Sequence, residues 1–455
     1  MTIGVLLILI AALLVTQVVL VRRSASQLRL IVWLQASFWL LAYVFRPLYL
    51  ILARPVYPNP LDDARLDQVG YVTGLTPGLE TVLFGQAVFI SVLLLLKARW
   101  PSGESSPLGS APPEAGEGPI LWILFGLGWI GRLAYLANVG PAQLALSPFA
   151  AAAAPLLVVL SDGSRVGVRA RLTLLTFSEV AWAYLFLSKT PALALLSAFI
   201  LRGMMRMRRA EAIRRLPVIA AAVVVVFVVL QPLKGVHTAA TVRSYQNTSH
   251  PEVAGTAVAI LQRTDLIEAV TDAHYFPRRP WLSSSEYAKR ALLGAVPKGP
   301  LAKQTQAGIL WSRRVRAASY PGPPSSTPVA TGPVAEGYVE GGLAGIAIEE
   351  ALLAAVAVAA AHGLRSPRVA GKLFASVFVF GAVLYEQGAL GLSEATAKAL
   401  EIALAALVLK AVYLGHARLG GRRQTARVGS KRSGGVPDTR SRAVISASRA
   451  ASGLD

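Results

Sequence analysis

Side chains suited to phosphate binding and to proton transfer concentrate in one long polar segment, residues 234–341, which lies between apolar stretches. Arginine binds phosphate oxygens bidentately and lysine acts as a point charge, so both suit a diphosphate. A carboxylate can take the proton from an attacking sugar hydroxyl. Basic residues of this segment include Arg243, Arg263, Lys298 and Lys303, and its carboxylates include Glu336.

Further ionisable residues interrupt the apolar stretches, where charge is costly and usually marks a pathway or a site. They are Arg46, Arg132, Glu179, Glu349, Glu350, Glu386 and Glu401. As a set they predict a polar cavity that opens outward beneath the long segment. The alternative for either arginine is an ion pair with a glutamate that holds the helices together, or a side chain that extends to the membrane surface.

The composition predicts a polytopic membrane protein. The chain has 455 residues, 54% hydrophobic and 15% charged, with a mean hydropathy of +0.53, whereas a soluble protein carries about 25% charged residues. The net charge of +21 fits the accumulation of Lys and Arg in cytoplasmic loops, and we expect no nucleic-acid partner. With no cysteine and no metal-ligand spacing of histidines, no metal or other cofactor is expected.

The pattern of apolar runs predicts an all-α fold with about eleven transmembrane helices and one long, partly helical extracytoplasmic loop. The predicted parts are about eight helices over 1–233, the loop over 234–341, about three helices over 342–416, and a basic, disordered cytoplasmic tail over 417–455. The predicted spans begin with a first helix at about Ile3 to Val21, which reads as a retained span.

Basic clusters after alternate spans predict the orientation. They are Arg22/Arg23, Lys97/Arg99, Arg165 to Arg171, Arg202 to Arg215, Arg365 to Lys372, and the tail. Because Lys and Arg collect on the cytoplasmic side, this alternation places the N-terminus outside and the C-terminus in the cytoplasm of a cell membrane. The long basic segment then lies outside, which is allowed because long loops cross the membrane largely regardless of charge.

Inside the long segment, helical patterns are predicted from Pro251 to about Ala273 and from Ser283 to about Ala295. Glu286 follows Ser283 by three residues, which is the spacing of a capping box. Residues 319–333, rich in Pro, Ser, Gly and Thr, are the candidate for a mobile lid. Outside the cytoplasmic membrane, activated glycosyl groups are carried on polyprenyl phosphates or diphosphates, and the basic loop and its carboxylates suit such a donor.

Two motifs and the overall layout resemble the O-antigen polymerase and oligosaccharide repeat-unit polymerase superfamily of bacterial membranes. Many members carry Pro-Arg, an aromatic residue and Lys-Pro in the outer loop. Residues 296–303, VPKGPLAK, match this pattern loosely: Lys298 replaces Arg, the aromatic residue is absent, and no Pro follows Lys303. Members then show a Gly-Glu-x-Tyr-x-Asn-Phe-Gly-x-x-Gly run that enters the next span. Here Glu336, Tyr338, Gly342 and Gly345 match in register, and Glu340 and Gly341 stand where Asn and Phe are usual.

The resemblance implies a glycosyltransferase of the cell envelope that works without nucleotide sugar or metal. The glycan would pass from undecaprenyl diphosphate onto an incoming lipid-linked repeat unit. The implied partners are undecaprenyl-diphosphate-linked glycans, membrane lipids, a flippase and a chain-length regulator. The implied site has Glu336 as the catalytic base or sugar-positioning group and Arg243, Arg263, Lys298 and Lys303 as diphosphate ligands. The other implied substrate-binding residues are Tyr338 and Glu340, with Arg46 and Arg132 adding positive charge from below.

Three alternatives remain open at this point. An O-antigen ligase shares donor and layout with a polymerase and differs in acceptor. A glycosyltransferase that uses a polyprenyl-phosphate sugar often has paired carboxylates in an outer loop, and Asp62 and Asp63 are such a pair, although after Asn59-Pro60 they also suit a turn. A transporter of an anionic lipid-linked substrate would use the same intramembrane charges, but the internal repeats that many transporters show are not evident.

Overall fold

The computed structural model describes residues 1–54, 66, 69–99, 116–137, 140–162, 165–185, 190–206, 261, 264, 266–277, 280–297, 307–316, 330–381 and 383–432. Within these ranges the chain is helical and contains no strand, which confirms the predicted all-α class. The chain forms two compact units, Met1–Leu407 and Val408–Asp455. All side chains discussed below as a site belong to the first unit.

The helices are numbered in chain order. They are α1 (Ile3–Leu20), α2 (Ser26–Leu40), α3 (Arg46–Ala53), α4 (Tyr71–Arg99), α5 (Glu117–Leu136), α6 (Gly140–Leu160), α7 (Arg165–Leu185), α8 (Thr190–Arg206), α9 (Leu266–Tyr275), α10 (Ser284–Gly294), α11 (Ala307–Trp311), α12 (Gly332–Gly363), α13 (Val369–Phe380), α14 (Val383–Glu386) and α15 (Ala389–Arg432). Two π-helical turns, Leu41–Phe45 and Ser312–Arg316, follow α2 and α11 directly.

Among the described residues, five helical stretches are long and apolar enough to cross a membrane: Ile3–Leu20, Ser26–Ala53, Tyr71–Ala98, Gly332–Gly363 and Val369–Glu386. This supports a membrane protein with several spans. Helices α5 to α8 and α15 lie where further spans are predicted, and the predicted span from about Pro217 to Leu233 lies outside the described residues. The total of about eleven spans therefore stays a prediction.

Helices α1 and α4 run parallel to each other. The Lys97 Nζ atom donates a hydrogen bond to the Leu20 carbonyl oxygen at 2.5 Å, which satisfies a carbonyl at the end of α1. At the other end, the amino group of Met1 lies 4.0 Å from Glu80 Oε1. This direction agrees with the alternation predicted for the first and third spans.

A proline widens the second span. Pro47 has no N–H and its ring crowds the carbonyl four residues earlier, that of Tyr43. The helix adopts the π-helical turn Leu41–Phe45 immediately before it. The side chains of Tyr43 and Arg46 are fully buried at this turn, so the irregular turn delivers two polar groups to the interior of the bundle.

Helix α12 is broken at Gly341 and Gly342. Gly342 has φ +60° and ψ −140°, and Gly341 has φ −147° and ψ 21°; the Gly342 conformation is one that glycine alone adopts readily. A Cβ placed on Gly345 would lie 2.0 Å from the Gly337 carbonyl oxygen, although eight residues of straight helix span about 12 Å. The short part, 332–340, therefore folds back against the long part, 343–363.

The described part of the long loop packs into the bundle and is partly helical, as predicted. Leu266, Ile267 and Val270 of α9 are fully buried, and Val270 Cγ1 lies 3.4 Å from the position of a Cβ on Gly78 of α4. Ser283 Oγ accepts a hydrogen bond from the Glu286 amide at 3.2 Å, which confirms the predicted start of α10. Residues 251–260, the first part of the other predicted helix, lie outside the described residues.

The last helix extends past residue 417, where the disordered tail is predicted to begin. Helix α15 continues to Arg432, so the first part of the predicted disordered tail is helical. Ala, Arg and Gln are good helix formers and outweigh the glycines in this stretch. Residues 433–455 lie outside the described part of the chain.

Candidate functional site

Two glutamates on opposite sides of the α12 break meet at one tyrosine of the loop. The Tyr287 hydroxyl of α10 lies 2.5 Å from Glu349 Oε1 and 3.0 Å from Glu336 Oε1. In a straight helix, thirteen residues would separate the two glutamates by about 20 Å. The break and the loop helix together therefore create a site that neither would form alone.

The start of α15 supplies further donors to the two carboxyl groups. The Leu390 amide donates to Glu336 Oε1 at 2.9 Å, and the Ala389 amide donates to Glu349 Oε2 at 2.7 Å. These amides belong to the first turn of the helix, where N–H groups have no partner within the helix. Gly388 completes the contact, because a Cβ there would lie 2.5 Å from Glu336 Oε2.

Glu336, the predicted base, is enclosed. Its side chain is 1% exposed, and its second oxygen accepts a hydrogen bond from Thr331 Oγ1 at 3.3 Å. Glu340, one turn further along the short part, is partly exposed, and its Oε2 atom is buried without a hydrogen-bond partner among the described residues.

Glu350 and Tyr43 form a second, deeper layer of the site. Both side chains are fully buried, and neither the Glu350 carboxyl oxygens nor the Tyr43 hydroxyl has a hydrogen-bond partner among the described residues. The two groups lie within electrostatic range of each other, as do Glu350 and Glu349. Glu350 Oε1 lies 3.3 Å from the position of a Cβ on Gly85 of α4, so the absence of a side chain there makes room for this carboxyl group.

The Tyr287 hydroxyl is a stable proton donor in this setting. Burial, and then the nearby carboxyl groups of Glu336 and Glu349, raise the pKa of Tyr287 far above its usual value. The hydroxyl therefore keeps its proton at neutral pH. In contrast, Glu286 on the neighbouring turn is partly exposed, and hydrogen bonds from Arg314 and Arg290 lower the pKa of its carboxyl group.

Arg46 forms a buried ion pair within the protein. Its Nε and Nη2 atoms bind Glu268 Oε1 of α9 at 2.6 and 2.5 Å, and both side chains are buried. Arg316 binds Asp272 of the same helix at 2.8 Å. The ion-pair alternative for Arg46 is thus the arrangement in the structure, and the pair joins the loop to the second span.

Arg132 lies in another part of the bundle. Its guanidinium group binds both oxygens of Glu179, at 2.6 and 2.8 Å, and lies 5.1 Å from the Trp129 ring centroid and 4.9 Å from that of Trp182. None of the contacts of Arg132 within the described ranges involves the Glu336 site. The prediction that it adds charge beneath the loop is therefore not supported by this geometry.

Tyr338 of the predicted motif faces α9. Its ring lies 4.1 Å from the His274 ring, centroid to centroid, at an interplanar angle of 31°. His274 Nε2 is 3.4 Å from Thr81 Oγ1 of α4. This stack links the short part of α12 to the loop and to the third span.

Sequence reasoning missed several residues of the site and could not place others. Tyr287, Thr331, Gly388 and the first amides of α15 carry no pattern that indicates a site. The predicted cap at Ser283 was the one available signal, since it placed Tyr287 on a helix. The four predicted diphosphate ligands, Arg243, Arg263, Lys298 and Lys303, lie outside the described residues.

The fold and this site define an all-α membrane protein in which buried carboxyl groups gather where a broken helix meets a helical loop. Comparison with protein-family models, with curated proteins and with solved structures finds no match for the chain. The function must therefore be argued from the site alone.

Proposed function

We propose that the chain is a membrane glycosyltransferase that polymerises lipid-linked repeat units of a bacterial envelope polysaccharide. The observation that carries the proposal is the convergence of Glu336 and Glu349 on Tyr287. It brings the predicted catalytic carboxyl group, the membrane bundle and the loop into one site. A transfer between two lipid-linked glycans needs this combination, because its diphosphate lies at the membrane surface and its sugars lie outside.

In the proposed reaction, a hydroxyl of the incoming unit attacks the anomeric carbon of the glycan on undecaprenyl diphosphate. A bond forms from the acceptor oxygen to that carbon, and the bond from carbon to the diphosphate oxygen breaks. The electron pair leaves with undecaprenyl diphosphate, which cations stabilise. The hydroxyl proton passes to a glutamate of the short part of α12, where Glu340 is partly exposed and Glu336 lies one turn deeper.

The proposed cationic ligands of the diphosphate are the basic residues predicted from the sequence. Arg243, Arg263, Lys298 and Lys303 are proposed to bind the diphosphate. The described residues add Arg290 and Arg314, which are partly exposed beside Glu286 on α10 and after α11. The site would lie at the outer face of the cytoplasmic membrane, as the alternation of basic clusters predicts.

A transporter of an anionic lipid-linked substrate is the second candidate. The break at Gly341 and Gly342 favours it, because discontinuous helices form the binding sites of many transporters. The contacts of a loop side chain, Tyr287, with the carboxyl groups of Glu336 and Glu349 favour the glycosyltransferase proposal. A ligase and a transferase that uses a polyprenyl-phosphate sugar remain subordinate alternatives; the Asp62–Asp63 pair of the latter lies outside the described residues.

The glycan profile of cells that carry Glu336→Gln at the normal protein level tests the proposal. We expect the long-chain ladder to collapse to a single lipid-linked repeat unit on the outer face. Glu80→Gln is the matched control, because that side chain is 52% exposed on α4, and it should leave the ladder intact. Lipid-linked polymer that fails to reach its final acceptor would indicate a ligase. Repeat units trapped on the inner face would indicate a transporter, and an unchanged ladder would remove Glu336 from the site.

A further inference from the structure

The buried carboxyl groups of Glu336, Glu349 and Glu350 have no cationic partner among the described residues. The groups that do contact Glu336 and Glu349 are neutral: one tyrosine hydroxyl, one threonine hydroxyl and two backbone amides. Glu350 receives no hydrogen bond within the same part of the chain. An ionised carboxylate is very costly to bury without a partner, so this arrangement calls for positive charge from elsewhere.

The contacts of Tyr287 indicate what that positive charge is. A tyrosine hydroxyl has one proton and can donate it to one acceptor at a time. Its oxygen nevertheless lies 3.0 Å or less from an oxygen of each of two carboxyl groups. If one of the carboxyl groups is protonated and donates to the tyrosine oxygen, both contacts are hydrogen bonds. The geometry of this pair therefore favours a bound proton.

Glu350 provides an independent observation. Both of its oxygens lack a hydrogen-bond partner among the described residues in a fully buried side chain, and the Tyr43 hydroxyl, equally unpartnered there, lies within electrostatic range. No group of three or more metal-ligating side chains occurs among the described residues.

We propose that Glu336, Glu349 and Glu350 form a proton-binding site, and that its protons hold the short part of α12 closed against the long part. One proton is shared between Glu336 and Glu349 around Tyr287, and another resides on Glu350. Loss of these protons would place like charges on both sides of the break and drive the two parts of α12 away from each other. This inference does not rest on the proposed glycosyl transfer.

Several other elements contribute titratable groups near the site. Tyr287 comes from α10, Tyr43 from the turn after α2, and Glu394 from α15, where it lies within electrostatic range of Glu336. Glu340 of α12 lies within range of Glu349. On α9, the ionisable side chains are Glu268, which binds Arg46, Asp272, which binds Arg316, His274, which stacks on Tyr338, and Tyr275.

Infrared spectroscopy of the purified full chain in nanodiscs tests proton binding directly. We expect a carboxylic-acid C=O band from buried groups at pH 7 that disappears as the pH is raised. Glu350→Gln should remove one component of the band, and Glu350→Asp should shift that component, whereas Glu80→Gln should leave it unchanged. Absence of a protonated-carboxyl band in the wild-type protein would overturn the proposal without any need for a variant.

Cysteine labelling tests the closure. The natural chain has no cysteine, so Ala335→Cys places a single thiol in the short part of α12, at a position that is fully buried. Its labelling rate is divided by that of Leu292→Cys, 72% exposed on α10, to correct for ionisation of the thiol. The ratio should rise at least severalfold from pH 6 to 9, and Glu350→Gln should flatten the rise. A ratio that is independent of pH would contradict the closure.

A metal cation bound at the three glutamates is the alternative to bound protons. The same labelling ratio distinguishes the two. At fixed pH, replacement of potassium by sodium should leave the ratio unchanged if protons occupy the site. A ratio that falls as sodium rises, with no dependence on pH, would assign the site to sodium and overturn the proposal.

Discussion

Two buried charged sites in this protein solve the same problem in opposite ways. Arg132 and Glu179 carry opposite charges and meet through two hydrogen bonds, and the Arg132 guanidinium lies over the rings of Trp129 and Trp182. Glu336, Glu349 and Glu350 are all acidic, and the donors that Glu336 and Glu349 meet are neutral. The first site balances its charge within the bundle, whereas no cation of the described part of the chain contacts the second. Burial alone does not distinguish the two sites; the balance of charge among the described residues does.

The two sites also differ in their backbone. Arg132 and Glu179 lie within the uninterrupted helices α5 and α7. The carboxyl groups lie on both sides of a break that two glycines create. An arrangement that is paired and held by regular helices suits a structural role, and an arrangement that spans a break suits a change of state. The following changes test this contrast, from the largest expected effect to the smallest.

Removal of Arg132 should be the most damaging change. Arg132→Met leaves Glu179 as a buried, uncompensated charge, and we expect a loss of about 3–5 kcal/mol. The double variant Arg132→Met/Glu179→Leu should recover most of that loss, because it removes both charges. The measurement is thermal denaturation of the purified protein in nanodiscs. Equal stability of the single and double variants would show that the pair is not the source of the effect.

Disruption of the contact between the two parts of α12 should cause the second-largest loss of stability. Gly345→Ala places a methyl group 2.0 Å from the Gly337 carbonyl oxygen, and we expect a loss of at least the 1–3 kcal/mol that is typical of overpacking. Gly126→Ala is the control, because a Cβ there meets nothing within 4 Å. Melting temperatures compare the two variants. If Gly345→Ala were as stable as the control, the folded-back arrangement of α12 would be wrong.

Removal of the Thr331 hydroxyl should lower stability less and should act selectively on the Glu336 site. Thr331→Val keeps the shape of the side chain and removes the hydrogen bond to Glu336 Oε2, which costs about 1 kcal/mol. We expect the Ala335→Cys labelling ratio to rise in this variant at neutral pH. Thr16→Val, on an exposed face of α1, should leave both quantities unchanged.

Loss of the partly exposed ion pairs of Glu286 with Arg290 and Arg314 should have the smallest effect on stability. Hydrogen bonds from Arg314 and Arg290 lower the pKa of Glu286 below its usual value, so its contribution to stability is present above about pH 4.3 and is lost as the pH falls through the lowered pKa. Because these groups are partly exposed, solvent screens the interaction and the change is slight. Melting curves from pH 6 to pH 3 should converge for the wild type and Glu286→Gln, and parallel curves would contradict this.

The sequence predicted the parts of the fold that depend on local pattern. Apolar runs and the Ser283 cap gave helices close to those observed, since hydropathy and capping act over a few neighbouring residues. The break in α12 escaped prediction because the two glycines suited a connection into a span equally well. The helical extension to Arg432 was missed because a basic, Gly-containing composition was taken as disordered.

The residue types by themselves determined that this chain enters a membrane and that Glu336 is a candidate group, because hydropathy and charge are properties of the residues. Tertiary structure decided the partners. It paired Arg46 with Glu268 and Arg132 with Glu179, and it brought Tyr287 between Glu336 and Glu349. Those contacts join positions that lie from 47 to 222 residues apart in the chain. The position at which α12 folds back sets the carboxyl contacts, and no local pattern encodes them.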